Sequence, residues 1–215
     1  MSFFNSIVKQ AGEHWDKATD HVFIQEMVND KLNKEVFAKY LIQDYAFVNS
    51  FLDLVSYTIA YSKTVEQKNR LASFLAMITS DEDDYFLRSF EALGVKESEY
   101  HAATVDRYPA IKGFDEEIRK AIESGTYEHC LAVLVCAESV YCEWASKYED
   151  KKPEAFYFNE WLILHNNEYF KGFVSWLKSE VDALGSLPEK TRDELAQIFS
   201  RVCELESRFF DESYE

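Results

Sequence analysis

Glycine and proline are scarce in this 215-residue chain, which contains six copies of the first and three of the second. Tight turns between strands depend on these two residues, because glycine adopts positive φ angles and proline pre-sets the φ angle of a turn. No segment alternates apolar and polar residues over the length of a strand, whereas apolar residues recur three and four positions apart. The sequence therefore predicts an all-α fold, a single-domain helical bundle of about seven to nine helices that spans residues 1–215.

Capping residues place several of the helix ends. Asn33 is predicted to begin a long helix. Thr64 and Gln67 have the spacing of a capping box for the next helix, and Ser186 and Glu189 have the same spacing before the last one. We therefore expect all three positions to act as helix N-termini.

The charge balance excludes several classes of partner. A net charge of −16 at pH 7 disfavours binding to nucleic acid or to an anionic membrane.

No stretch is apolar enough to span a bilayer, and the first residues lack the pattern of a signal peptide. The four cysteines lack the CxxC spacing of a zinc site. We expect a cytoplasmic protein with reduced thiols and without a metal.

Three carboxylates interrupt the apolar faces of three predicted helices. Residues three, four or seven positions apart share a helix face, and by this test Asp44, Glu138 and Glu206 each lie among aliphatic and aromatic residues. An ionised carboxylate buried without a partner is very costly, so such groups shift their pKa, pair with another group or line a polar cavity. A single acid of this kind could be a structural residue bonded to a neighbouring helix. Three of them together indicate a shared pocket.

Other polar and aromatic residues could belong to the same pocket. His165 shares a face with Phe158, Trp161 and Leu162, which suits either a core histidine or a residue that binds a heteroaromatic ligand. Aromatic residues near the acids in sequence could likewise be core residues or stack on a flat ligand; they are Tyr45, Phe47, Tyr141, Trp161, Phe209 and Phe210.

Signals for other chemistries are weaker. The chain has no Glu-x-x-His pair of the kind that holds a di-iron centre and no GxSxG nucleophile elbow. His14 or His21 could serve as an axial haem ligand, although a surface or helix-end position suits either histidine better. Paired carboxylates therefore give the best-supported chemistry.

Three segments together resemble the TenA family, also called thiaminase II. They are YLIQDYAFV (Tyr40–Val48), CAESVYCEW (Cys136–Trp144) and ELESRFF (Glu204–Phe210). Their order and spacing cover nearly the whole chain. The resemblance implies a haem-oxygenase-like helical bundle that assembles as a homo-oligomer, a tetramer or a dimer. It also implies salvage of the aminopyrimidine half of thiamin without a metal or an organic cofactor.

The same resemblance assigns roles to individual residues. Asp44 would hold the pyrimidine ring nitrogen and its amino group, and Glu206 would be the acid/base residue. The residues that match substrate-binding positions are Asp44, Tyr45, Phe47, Phe114, Tyr141, His165 and Phe209.

The family's nucleophilic cysteine has no direct counterpart. In the branch that uses it, the cysteine lies four residues before a pocket tyrosine, and matching that tyrosine to Tyr141 places Ala137 there. Cys136 is one position away, which is about 100° of rotation on a helix. Glu138 instead resembles the branch with a glutamate, which is associated with hydrolysis of the N-formyl-aminomethyl and aminomethyl pyrimidine breakdown products of thiamin.

The sequence thus predicts a thiamin-salvage hydrolase with Asp44, Glu138 and Glu206 as its catalytic residues. Two alternatives stay open: a thiaminase II that uses Cys136, and a pyrimidine-binding or regulatory protein without activity. A weaker alternative is an oxygen-using relative of the same fold that processes a quinone precursor or haem.

Overall fold

This chain, with its few turn-forming residues, folds into a succession of helices. A computed structural model describes all of residues 1–215. Its α-helices are α1 (Phe3–Ala11), α2 (Glu13–Thr19), α3 (Val22–Met27), α4 (Lys34–Tyr61), α5 (Val65–Met77), α6 (Asp83–Leu93), α7 (Glu97–Ala102), α8 (Pro109–Glu123), α9 (Tyr127–Lys147), α10 (Phe156–Leu164), α11 (Glu168–Ala183) and α12 (Glu189–Glu212). A π-helical turn over Ile78–Glu82 joins α5 to α6, and a 3₁₀ turn over Leu184–Ser186 precedes α12.

The absence of any strand confirms the all-α prediction. Three of the twelve helices, α2, α3 and α7, have seven residues or fewer, which leaves nine longer helices, the upper end of the expected range. None of the helices has an apolar stretch long enough to cross a bilayer.

Two of the predicted helix N-termini form as expected. The side chain of Asn33 accepts a hydrogen bond of 2.8 Å from the backbone N–H of Glu35 at the start of α4. Thr64 and Gln67 form a complete capping box before α5, in which each side chain accepts a bond from the other residue's backbone N–H. These bonds satisfy N–H groups that the first turn of a helix leaves without partners.

The capping box predicted before α12 does not form. Pro188 occupies the N-cap position instead, and no side chain caps the helix there. Ser186 lies in the preceding 3₁₀ turn, where its hydroxyl donates to the carbonyl oxygen of Ala183 at 3.4 Å. The prediction is wrong because the Ser186 hydroxyl bonds back to the last residue of α11 and not to the first turn of α12.

Helix α9 lies at the centre of the bundle. Its buried residues run almost without interruption from Cys130 to Ala145, because apolar side chains occupy every face of this helix. A helix of this kind has to be surrounded by other helices, and α9 packs against α4, α8, α11 and α12. Since Asp44 lies on α4, Glu138 on α9 and Glu206 on α12, this packing brings together the three helices that carry the predicted site acids.

The contact between α8 and α12 depends on a glycine. A Cβ atom on Gly113 of α8 would overlap the side chain of Leu205 in α12, and Leu205 is fully buried. Gly113 therefore allows the two helix backbones to approach closely. The approach matters for the site because α8 carries Phe114 and α12 carries Phe209, both predicted to bind substrate.

We expect Gly113→Ala to be less stable than Gly172→Ala, a matched change in α11. Both glycines lie inside helices, where alanine is favoured over glycine by about 0.5–1 kcal/mol. A Cβ atom on Gly172 meets nothing within 4 Å, whereas overpacking at Gly113 costs roughly 1–3 kcal/mol. Urea unfolding measures both free energies; equal values would show that Leu205 moves aside without cost.

Candidate active site

A cavity of about 550 Å³ opens between α4, the π-helical turn, α8, α9, α10 and α12. Ten of its fifteen lining residues are hydrophobic. Its lining residues are Asp44, Phe47, Val48, Phe51, Phe74, Glu82, Ile111, Phe114, Ala137, Glu138, Tyr141, Trp161, His165, Glu206 and Phe209. Four of them are carboxylic acids, and none is a lysine or an arginine.

The structure brings most of the predicted site residues into this one cavity. The three acids Asp44, Glu138 and Glu206 all line it and are all buried. Five of the predicted substrate-binding residues line it as well, namely Phe47, Phe114, Tyr141, His165 and Phe209. No three histidine, cysteine or acidic side chains are grouped closely enough to hold one metal ion, so the acids surround the cavity and do not meet at a point.

Tyr45 does not reach the cavity, although the resemblance to the TenA family assigned it to substrate binding. Its hydroxyl donates to a carboxylate oxygen of Asp83 at 3.1 Å, and its ring packs against Phe86 and Phe90 of α6. The reason is helix geometry, because consecutive residues point about 100° apart. Asp44 faces the cavity, and Tyr45 therefore faces α6.

Cys136 also faces away from the cavity. Its thiol donates to the carbonyl oxygen of Phe199 at 3.2 Å and lies 3.3 Å from the sulfur of Cys203 in α12. Burial raises the pKa of this thiol well above its ordinary value, which keeps it protonated and a poor nucleophile. Ala137, the next residue, lines the cavity at the position expected for the family's cysteine.

Burial also controls the charge of the acids. It raises the pKa of Asp44, Glu138 and Glu206 well above the ordinary range, because the cavity solvates an ionised carboxylate poorly. Neighbouring negative charge adds to the effect: the charge of Glu82 acts on Asp44 and Glu138, and the charge of Asp44 acts on Glu206. Burial and like charge therefore both favour the protonated form of these groups.

Two tyrosines supply a hydroxyl pair beside Asp44. The hydroxyls of Tyr40 and Tyr141 lie 2.6 Å apart, and burial raises the pKa of both well above the ordinary value, helped by the charge of Asp44. Both hydroxyls therefore keep their protons. The hydrogen bond between the two hydroxyls uses only one of their two protons. The other O–H therefore remains available to a carboxylate or a ligand.

His165 offers an acceptor to the cavity and no positive charge. Its Nδ1 lies 2.8 Å from the carbonyl oxygen of Trp161, and a carbonyl can only accept, so Nδ1 carries the proton. Burial lowers the pKa of His165 to about 4. The imidazole is therefore neutral at pH 7, and its Nε2, which has no partner in the protein, is a hydrogen-bond acceptor.

Gln43 fixes the loop that leads into α8. Its amide N–H donates to the carbonyl oxygen of Asp106 at 3.1 Å, and its amide oxygen accepts from the backbone N–H of Tyr108 at 2.8 Å. Both bonds are made by a buried side chain next to Asp44 in sequence. The residue beside the acid thus positions the helix that supplies Ile111 and Phe114 to the cavity.

Glu82 is the cavity acid that the sequence analysis missed. It lies in a run of four acidic residues, 81–84, which is typical of a solvated surface. The helix-face test that identified the other acids also applies here, because Ile78 and Phe86 lie four positions before and after Glu82 and both are buried. The signal was therefore present but was hidden by the acidic residues on either side.

We expect His165 to be neutral with its proton on Nδ1 at pH 7, and not to titrate above about pH 5. Burial disfavours the charged ring, and the Trp161 carbonyl selects the tautomer. Long-range ¹H–¹⁵N spectra of the labelled protein distinguish the tautomers, and His165→Gln identifies the signal by removing it. A transition near the ordinary histidine value of about 6.5 would contradict the described burial.

The sequence is similar to known proteins along its whole length. The model of the TENA/THI-4/PQQC family matches residues 8–215. The hydroxymethylpyrimidine/phosphomethylpyrimidine kinase THI20 of Saccharomyces cerevisiae is 24% identical over 207 residues, which cover 94% of this chain and 37% of that protein. This chain thus spans well under half the length of that relative. The aminopyrimidine aminohydrolase of Halalkalibacterium halodurans is 24% identical over 219 residues, which cover 100% of this chain and 96% of that protein.

The fold has a close counterpart among solved structures. A TenA homologue from Pyrococcus furiosus superposes with a TM-score of 0.86 at 21% identity, covering 99% of this chain and 100% of that one. At this identity the likeness concerns the fold, and it agrees with the helical bundle that the resemblance implied. Because the family model matches nearly the whole sequence, the chain belongs to the TENA/THI-4/PQQC family.

Proposed function

We propose that this protein is a thiamin-salvage hydrolase that converts aminopyrimidine breakdown products of thiamin into the hydroxymethyl pyrimidine. Its substrates are the aminomethyl pyrimidine, the N-formyl-aminomethyl pyrimidine, or both. The observation that carries the proposal is the meeting of Asp44, Glu138 and Glu206 in one cavity with aromatic walls. The similarity to an aminopyrimidine aminohydrolase over the whole of both chains supports it.

The walls of the cavity suit a flat heteroaromatic ring. Phe47 and Phe114 lie with ring centroids 5.1 Å apart at an angle of 54°, and Phe209 contributes a third aromatic face. Ligand pockets for small molecules are mainly apolar with a few polar groups. This cavity has the same character, since ten of its fifteen lining residues are hydrophobic.

Asp44 can recognise the edge of an aminopyrimidine. That edge presents an amino donor next to a ring-nitrogen acceptor. Burial raises the pKa of Asp44 well above its ordinary value and so favours the protonated carboxyl group, which has one O–H donor and one carbonyl acceptor. The two patterns are complementary, so Asp44 would form two hydrogen bonds that orient the ring.

Glu138 and Glu206 then perform the hydrolysis by proton transfer. Water forms a bond to the exocyclic carbon as the carbon–nitrogen bond breaks; one glutamate, ionised, takes a proton from the water, and the other, protonated, gives one to the departing nitrogen. The aminomethyl substrate yields the hydroxymethyl pyrimidine and ammonia. With the N-formyl substrate, water attacks the formyl carbon and releases formate and the aminomethyl pyrimidine. Acids with pKa values raised by burial and by like charge are suited to this exchange near neutral pH.

The orientation of Cys136 supports carboxylate chemistry over a thiol nucleophile. The thiol is directed toward Phe199 and Cys203, outside the cavity.

Homo-oligomeric assembly, which the resemblance to the TenA family implied, and a cytoplasmic location, which the sequence suggested, belong to the same proposal.

The test of this function is the set of products formed from three compounds. We expect the purified protein to release formate or ammonia from the N-formyl and aminomethyl pyrimidines and to leave thiamin intact, as followed by chromatography and mass spectrometry. Cys136→Ala should behave like the wild type, because this thiol lines no part of the cavity. Cleavage of thiamin that Cys136→Ala abolishes would establish the thiaminase II alternative, and binding without turnover would establish a binding protein.

Replacing Glu206 should remove catalysis but not folding. General acid/base catalysis contributes about 100- to 10,000-fold, so Glu206→Gln should lower kcat by at least 100-fold in steady-state assays. Glu204→Gln is the matched control on α12, since Glu204 pairs with Arg201 away from the cavity. A wild-type kcat in Glu206→Gln would remove Glu206 from the mechanism, and circular dichroism checks that both variants are folded.

A further inference from the structure

The π-helical turn between α5 and α6 brings a fourth carboxylate, Glu82, into the candidate active site. We propose that Glu82 is a further catalytic residue, which shares one proton with Glu138, so that whichever of the two carboxyl groups is ionised deprotonates the attacking water. This inference rests on the proposed hydrolase function and names a residue that the mechanism above did not use.

Glu82 is the last residue of the π turn that joins α5 to α6. A π turn holds one more residue than an α turn, which rotates everything after it by about 100° relative to an uninterrupted helix. Hydroxyl groups stabilise this turn: Thr79 donates to the carbonyl oxygen of Leu75 at 3.0 Å, and Ser80 donates to that of Ala76 at 2.8 Å. Turns of this kind occur often at functional sites.

The neighbours of Glu82 in the acidic run point elsewhere. Asp83 accepts from the Tyr45 hydroxyl, Asp84 pairs with Arg88 at 2.7 Å, and Asp81 is exposed. Glu82 lines the cavity and has no hydrogen-bond or ion-pair partner. A half-buried carboxyl group that lines a mostly apolar cavity and has no partner in the protein is free to bond to a ligand there.

The charged groups around Glu82 come from three helices. They are Asp44 of α4, Glu138 of α9 and, farther away, Glu206 of α12; the imidazole of His165 is neutral, and no basic side chain lines the cavity. Among the neighbouring charges, Glu82 makes the largest contribution to the raised pKa of both Asp44 and Glu138, whereas it is absent from the causes that act on Glu206. The charge of Glu82 therefore acts on Asp44 and Glu138 more strongly than on Glu206.

Two neighbouring carboxyl groups that cannot both ionise hold one proton between them. Burial raises the pKa of Glu82 itself to about 7, so this carboxyl group can both release and take up a proton near neutral pH. During hydrolysis the ionised member takes the proton of the water, and Glu206 gives its proton to the leaving nitrogen. The pair ends with one proton more and Glu206 with one less, and the site returns to its starting state by exchange with solvent.

Glu82→Gln tests the role in catalysis. We expect it to lower kcat at least tenfold on whichever pyrimidine the wild type hydrolyses, with less than a threefold change in KM, because the ring is bound by Asp44 and the aromatic walls. Asp81→Asn, an exposed change in the same turn, should leave both constants within twofold of the wild type. An unchanged kcat in Glu82→Gln would overturn the proposal.

The shared proton has a test that does not depend on activity. Carboxyl ¹³C NMR titration of labelled protein should show the pKa of Glu138 falling by at least half a unit in Glu82→Gln, since the nearest negative charge is removed, with no such change in Asp81→Asn. An unchanged Glu138 titration would overturn the pair. If the wild type hydrolyses none of the pyrimidines, the proposed function fails, and this titration still decides whether the pair exists.

Discussion

The structure depends on the placement of four carboxylic acids, three of them buried and Glu82 half-buried, in a cavity that contains no lysine or arginine. An ion pair would normally offset the burial of such groups, but these acids have no cation beside them, and burial and like charge instead raise the pKa of Asp44, Glu138 and Glu206 and so favour their protonated forms. An arrangement of this kind lowers the stability of the fold locally and persists only where the surroundings hold it in place. The site is therefore neutral enough to be buried and still able to exchange protons.

The surrounding helices supply that rigidity. Helix α9 is apolar on every face, packs against α4 and α12 among other helices and so fixes the position of Glu138 relative to both. Gly113 permits the close approach of α8 to α12, and Gln43 secures the loop that leads into α8 through two backbone hydrogen bonds. Each of the four acids lies on a different element of the fold. The packing of that element holds its acid in place, as the proposed catalysis requires.

Helix periodicity predicted much of this site and also explains where prediction failed. Asp44, Glu138 and Glu206 were identified because their helix neighbours are apolar, and the rotation of Cys136 away from the pocket followed from the same geometry. Tyr45 was assigned by resemblance to the family, although its position next to Asp44 directs it toward α6. Glu82 was missed because its acidic neighbours suggested a solvated surface, although Ile78 and Phe86 give its helix face the same apolar neighbours.

The sequence by itself determined the helical class of the fold and which face of each helix is apolar, because both depend on residues within one or two turns of each other. It also determined the caps at Asn33 and Thr64, which need only neighbouring residues. The tertiary structure alone decided which faces meet, which tautomer His165 adopts and which acids keep their protons. These properties depend on desolvation and on contacts between residues far apart in the chain, and no local pattern contains them.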